Sequence, residues 1–301
     1  MAKNEIKLII QGGALCAAFS FLIFIWPLPG IIAKFFSLTP IFYVGICLGV
    51  QACSLAMIIP LIWTLVVLGV AQTIAMLILF VPVLLILHWH LAKSKNHYVN
   101  SSFDVLHLFT SRFFCVALIG FAGLKLIDFP LVEVLQKDFE AATKLMQVQA
   151  TNSLIEILPG GVAFLWLLMI WLNFQTAYGL ALKTNMAIHK PTIKQNIHLK
   201  PVWDIILVAS IWLMILNNLL SNSMFLAIFS RICIGISAFP LFIDGLETLQ
   251  IIARANKFSK VSIRISLAIT FMLVWPMIFV VVLVLIEPWY GLKRKYLSKL
   301  N

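Results

Sequence analysis

Long apolar runs, broken by short polar stretches that are mostly basic, dominate this chain of 301 residues. A helix of about 20 consecutive apolar residues is long enough to cross a bilayer core. On that measure the pattern predicts about eight segments, at residues 8–26, 41–59, 61–88, 105–127, 160–182, 202–220, 224–252 and 265–286. A backbone N–H or C=O in lipid finds no water to bond, so each segment must satisfy its own groups as a helix. The expected fold class is an all-α polytopic transmembrane helix bundle, with some segments kinked or broken at proline. It forms a single integral membrane domain over residues 1–301.

Proline and loop composition refine this outline. Pro27, Pro29 and Pro40 bracket a turn after the first segment, and Pro60 is expected to separate the second segment from the third. Pro82, Pro240 and Pro276 fall inside segments and are expected to kink them. The longest loop carries Leu131, Leu135, Phe139, Ala142, Met146 and Val148 at helical spacing, with Glu133, Lys137, Asp138, Glu140 and Lys144 largely between them. That pattern predicts an amphipathic helix over 131–149, lying at the membrane surface or capping the bundle. The first apolar run is too long for a signal-peptide core, and Pro27-Leu28-Pro29 is a poor cleavage site. It is read as an uncleaved first helix.

Composition removes the soluble alternative. Hydrophobic residues make up 62% of the chain and charged residues 11%, against about 45–50% and about 25% in soluble domains. The net charge is +11, from 22 Lys and Arg against 11 Asp and Glu. The basic residues sit between apolar segments, which fits the positive-inside rule and not nucleic-acid binding. Lys93, Lys95 and Arg112 follow the third segment, Lys183, Lys190, Lys194 and Lys200 the fifth, and Arg254, Lys257, Lys260 and Arg264 the seventh. These three stretches are read as cytoplasmic and the net-acidic 128–159 loop as external. Lys3 and Lys7 also argue for a cytoplasmic N-terminus, yet three crossings would leave Lys93 outside. A break inside 61–88, or a re-entrant second segment, would repair this. Lys293, Arg294, Lys295 and Lys299 create a similar conflict at the C-terminus, whose side is left open.

Polar groups inside membrane segments are costly, so each is a functional candidate. Asp244 and Glu247 are three apart, share a helix face, and lie just past Pro240 and beside Gly245. They suit a cation, a proton or pairing with a basic group on another helix. Interfacial pairing with Arg254 or solvent is the plainer reading. Arg231 lies on the same segment. Asn217 and Asn218 suit either a cavity mouth or the polar turn into the seventh segment, and Asn173 suits either ligand contact or interhelix packing. His88-Trp89-His90 is read as an interfacial anchor, because residues two apart on a helix do not face each other. The five cysteines lie in apolar stretches without a CxxC spacing and are read as small buried hydrophobes. No HExxH, GxSxG, Walker or zinc pattern occurs, so no enzyme, metal or cofactor reading gains support. Alanines four apart recur at Ala14 and Ala18, Ala52 and Ala56, Ala71 and Ala75, and Ala177 and Ala181. That spacing suits close helix packing, within the bundle or against a partner membrane subunit.

Several of these features, in order, resemble the YybS-like family of uncharacterised bacterial membrane proteins. The resemblance rests on Pro27-Leu28-Pro29 followed by Pro40, Gly45 and Gly49, and on Leu158-Pro159 before a helix with Asn173 and Ala177. It extends through the run from Phe239 to Glu247 leading to Arg254, and through Trp289, Lys293 and Arg294. The family is distantly similar to substrate-binding subunits of energy-coupling-factor transporters. That similarity implies a multi-pass protein of the bacterial cytoplasmic (inner) membrane. It also implies a vitamin-like or ion cargo, a transmembrane coupling subunit and ATPase subunits. Ala14 and Ala18, and more loosely Ala71 and Ala75, would serve as docking pairs. The chain departs from that pattern in having about eight segments instead of about six.

The expected function is therefore a small-solute uptake component working with partner subunits in the lipid bilayer. Arg231, Asn217, Asn218 and Asn173 would orient the solute, and Asp244 and Glu247 would couple an ion or set a gate. A non-transporting scaffold or assembly factor is the alternative. A membrane-embedded enzyme acting on lipid comes last.

Overall fold

A computed structural model describes residues 3–94, 102–127, 130, 133, 137, 152–186, 202–220, 223–259, 262 and 274–298. The helices are α1 (Lys3–Ile25), α2 (Pro27–Phe35), α3 (Thr39–Leu48), α4 (Val50–Leu68), α5 (Val70–Ser94) and α6 (Ser102–Leu126). They continue as α7 (Asn152–Lys183), α8 (Val202–Leu220), α9 (Met224–Ala255), α10 (Val274–Tyr290) and α11 (Leu292–Leu297). No strand occurs among the described residues. Seven helical stretches there are long and apolar enough to cross a membrane, and Pro276–Tyr290 is a shorter apolar helix. Large apolar side chains such as Val66, Ile119 and Leu220 lie uncovered, as lipid contact requires. The chain is an all-α, multi-pass membrane protein.

The single membrane domain read from the sequence is organised as two compact units. The first comprises Met1–Phe113 and Trp166–Ile197. In it α1 packs on α2, α3 and α4, while α3 and α4 also pack on α5. Ile9, Gly12, Gly13, Cys16 and Ala17 form the buried stripe of α1, at the three- and four-residue spacing of one helix face. Gly12 and Gly13 bring that stripe against Val44 on α3 and the Ala56 carbonyl on α4.

The breaks between α3, α4 and α5 correct the sequence reading. They fall at Gly49 and Gly69, and Pro60 lies inside α4. Gly49 has φ 97° and ψ 174°, and Gly69 has φ 85° and ψ −176°. Only glycine adopts that backbone region readily. A Cβ would meet nothing within 4 Å at either position, so the backbone and not crowding demands glycine there. The stretch from α1 to α5 therefore contains three apolar pieces of membrane-crossing length, α1, Pro29–Leu48 and α4, followed by the 25-residue α5. The predicted surface helix at 131–149 lies outside the described residues except Glu133 and Lys137, which are helical.

The second unit comprises Phe114–Leu165 and His198–Asn301. Helix α9 is the most deeply buried span and packs on α8, α10 and α11. Trp203, Leu207, Leu241 and Val284 form a core cluster there, with Phe114 edge-on to Trp203 at 6.3 Å. The start of α7 crosses α9 at backbone contact: a side chain at Gly235 would meet the backbone of Gly160, and one at Gly160 that of Arg231. Gly235→Leu is expected to cost about 1–3 kcal/mol or more, because backbone cannot yield as a side chain can. Gly161 faces open space, so Gly161→Leu should leave the melting midpoint in detergent unchanged while Gly235→Leu lowers it.

Candidate functional site

The second unit holds a buried charged cluster. Asp244 and Glu247 occupy one turn of α9, just past the buried Pro240. A side chain at Gly245 would meet the Val280 backbone, so this glycine lets α10 lie directly against the acidic turn. Helix α10 ends at Gly291, whose φ of 55° lies in the left-handed region that lets the chain turn sharply. The turn starts α11 and directs Lys293 inward. Lys293 Nζ donates to Asp244 Oδ1 and lies 3.5 Å from Glu247 Oε2. The Lys293 backbone N–H donates to Glu287 Oε1 at 3.2 Å.

Burial decides what this cluster means. Asp244 and Lys293 are each only 5% exposed. An exposed ion pair contributes little, whereas removing one member of a buried pair is strongly destabilising. One ammonium serves two carboxylates here, so the triad carries an excess negative charge. Asp204 on α8 lies close enough to Asp244 to repel it. Its Oδ1 is buried with no hydrogen-bond partner among the described residues. The arrangement can hold or release a proton next to the paired lysine.

The other sequence candidates are not drawn into this cluster. Arg231 lies 13 residues before Asp244, about 20 Å along the helix. Asn217 is buried at the α8–α9 turn, where it donates to the Ser223 carbonyl and accepts from the Ser223 N–H, both at 3.1 Å. Asn218 beside it is exposed. Asn173 belongs to the first unit and is fully buried. Its amide donates to the carbonyls of Phe35 and Met169, each at 2.7 Å, and accepts from Thr39 Oγ1 at 2.8 Å. All three of those hydrogen bonds go to the protein itself. Ser237 and Thr248 likewise bond carbonyls of their own helix. Among the described residues no group of three or more His, Cys, Asp or Glu side chains could hold a metal ion.

No known family, curated protein or solved structure matches the chain. The alanine pairs divide by burial. Ala52 and Ala56 are buried inside the first unit, as are Ala177 and Ala181. Ala14 and Ala18 are exposed, on the side of α1 away from its glycines. Ala71 and Ala75 lie on α5, and their side chains are outside the described set. Four cysteines are buried as expected, but Cys115 is exposed. The sequence reading missed Lys293 as a site residue and counted it within a basic tail. A signal was present: together with its neighbours it gave the C-terminus an orientation at odds with the preceding basic loop. A buried, paired lysine is no marker of membrane side.

Proposed function

We propose that this chain is a small-solute uptake component of a bacterial cytoplasmic membrane, working with partner subunits. The observation that carries this reading is the Asp244–Lys293–Glu247 cluster, built into the most buried membrane-length helix beside a proline. Charge at such a position is costly and is kept where a proton, ion or solute path uses it. The cargo is a vitamin-like molecule or an ion. The sequence contains no nucleotide-binding loop, so ATP-derived energy would enter through a coupling subunit and ATPase subunits. The exposed Ala14 and Ala18 pair on α1 offers such a subunit a close-packing face. The same exposed pair favours the second reading, a scaffold that holds other membrane proteins.

Gentle detergent purification from the native host, followed by native mass spectrometry, separates the two. Uptake predicts a retained small molecule or a co-purifying coupling subunit with its ATPases. Stoichiometric capture of other membrane proteins, with no small molecule in any detergent, would replace uptake by the scaffold reading.

A further inference from the structure

Among the described residues a charged contact between α11 and the rest of its unit runs through Lys293, and α11 joins α10 through one left-handed glycine. We propose that α11 is a proton-released strap: it lies closed on α9 while Asp244 and Glu247 are ionised, and it lifts when they take up protons.

The charges facing Lys293 come from each helix packed around the cluster. Helix α9 contributes Asp244 and Glu247, and α10 contributes Glu287 through the Lys293 backbone N–H. Helix α8 adds Asp204, within electrostatic reach of Asp244. On α11 itself Lys295 is exposed and Tyr296 half-buried. Arg254 is exposed, 10 residues beyond Asp244 and about 15 Å along α9. Two carboxylates thus contact one buried ammonium, and a third accepts from the backbone of the same lysine. The side chain of Glu247 is 32% exposed against 7% for Asp244, so it is the more accessible of the two carboxylates.

Protonation removes the reason for Lys293 to stay. A buried ammonium facing neutral carboxyls has lost its counter-charge, and bare charge is poorly tolerated away from water. The nearest escape is outward. Lys295 and Ser298 are already exposed, and the left-handed Gly291 is the joint about which α11 would turn. Trp289 and Tyr290 are exposed just before it and suit anchoring of the α10 end at the headgroup level. The strap would then move against a fixed base.

Hydrogen-exchange mass spectrometry on the full chain in nanodiscs tests this at about pH 7.5 and about pH 5, a range that spans carboxyl titration. Rates are corrected for intrinsic exchange. Protection of residues 292–297 is expected to fall at least about tenfold at the lower pH, the factor supplied by a charged hydrogen bond. Protection across α8 should not change. In the double variant Asp244→Asn with Glu247→Gln, α11 should exchange equally at both pH values. Glu247→Gln alone is the milder variant and should reduce the response. Equal protection of α11 at both pH values in the wild type would overturn the proposal. So would a response that persists in full in both variants, or a loss of α8 protection together with α11. The readout needs no solute, so the strap and the uptake reading can fail separately.

Discussion

Lys293→Met should lower the stability of the second unit by about 3–5 kcal/mol, the range seen when one member of a buried pair is removed. The substitution is close to isosteric, so the loss is electrostatic and not steric. Asp244, 5% exposed, would lose its contact with the Lys293 ammonium while still lying on the same helix turn as Glu247. The melting midpoint of the detergent-purified protein is the readout, with Lys295→Met on the exposed face of the same helix as control. That control should shift stability by less than about 0.5 kcal/mol. Adding Asp244→Asn and Glu247→Gln to Lys293→Met should recover most of the loss, because it removes both carboxylates that the Lys293 ammonium contacts. An unchanged midpoint in Lys293→Met would mean that the lysine is solvated and that no buried pair exists.

The triple variant also separates stability from role. If it is stable but the host loses the phenotype linked to this chain, the charges serve function. If it is stable and fully active, they serve folding alone. A single charge deletion cannot make this distinction, since it removes both at once.

What was legible in the sequence follows from which signals change composition. The run at 202–220 was read with the bounds of α8, because polar residues flank it on both sides. Asp244 and Glu247 stood out because carboxylates are rare in an apolar run. The breaks at Gly49 and Gly69 did not, because glycine leaves hydropathy almost unchanged and its role there is a backbone angle. Pro60 was the louder signal and the wrong one: the helix runs through it, and the hydroxyl of Thr64 donates to its carbonyl at 2.7 Å. Lys293 lies 49 positions from Asp244, and no local pattern joins two such residues. Only the turn at Gly291 does so. Asn173 was legible as a polar residue in a membrane segment, but its role depends on a helix end more than a hundred positions away.

That role yields the second strong expectation. Asn173→Leu should destabilise the first unit by about 2 kcal/mol or more, from at least two buried polar groups left unsatisfied at about 1–3 kcal/mol each. Helix α2 ends at Phe35 and α3 begins at Thr39, within a stretch of membrane-crossing length. A helix end leaves carbonyls without intrahelical partners, and lipid offers none. Asn173 fills that gap: it donates to the Phe35 carbonyl and accepts from the Thr39 hydroxyl, bracketing the α2–α3 joint. Leucine has similar volume and can do neither. Asn173→Asp should be no better, since a carboxylate would face the carbonyls of Phe35 and Met169 where the amide donated. Thermal unfolding of both variants in detergent measures the effect without any solute. A solute-orienting asparagine would behave in the opposite way, with binding lost and the melting midpoint kept. If Asn173→Leu melts with the wild type, the hydrogen bonds at this joint are not what holds α2 and α3 in place, and the amide is free to serve a ligand after all.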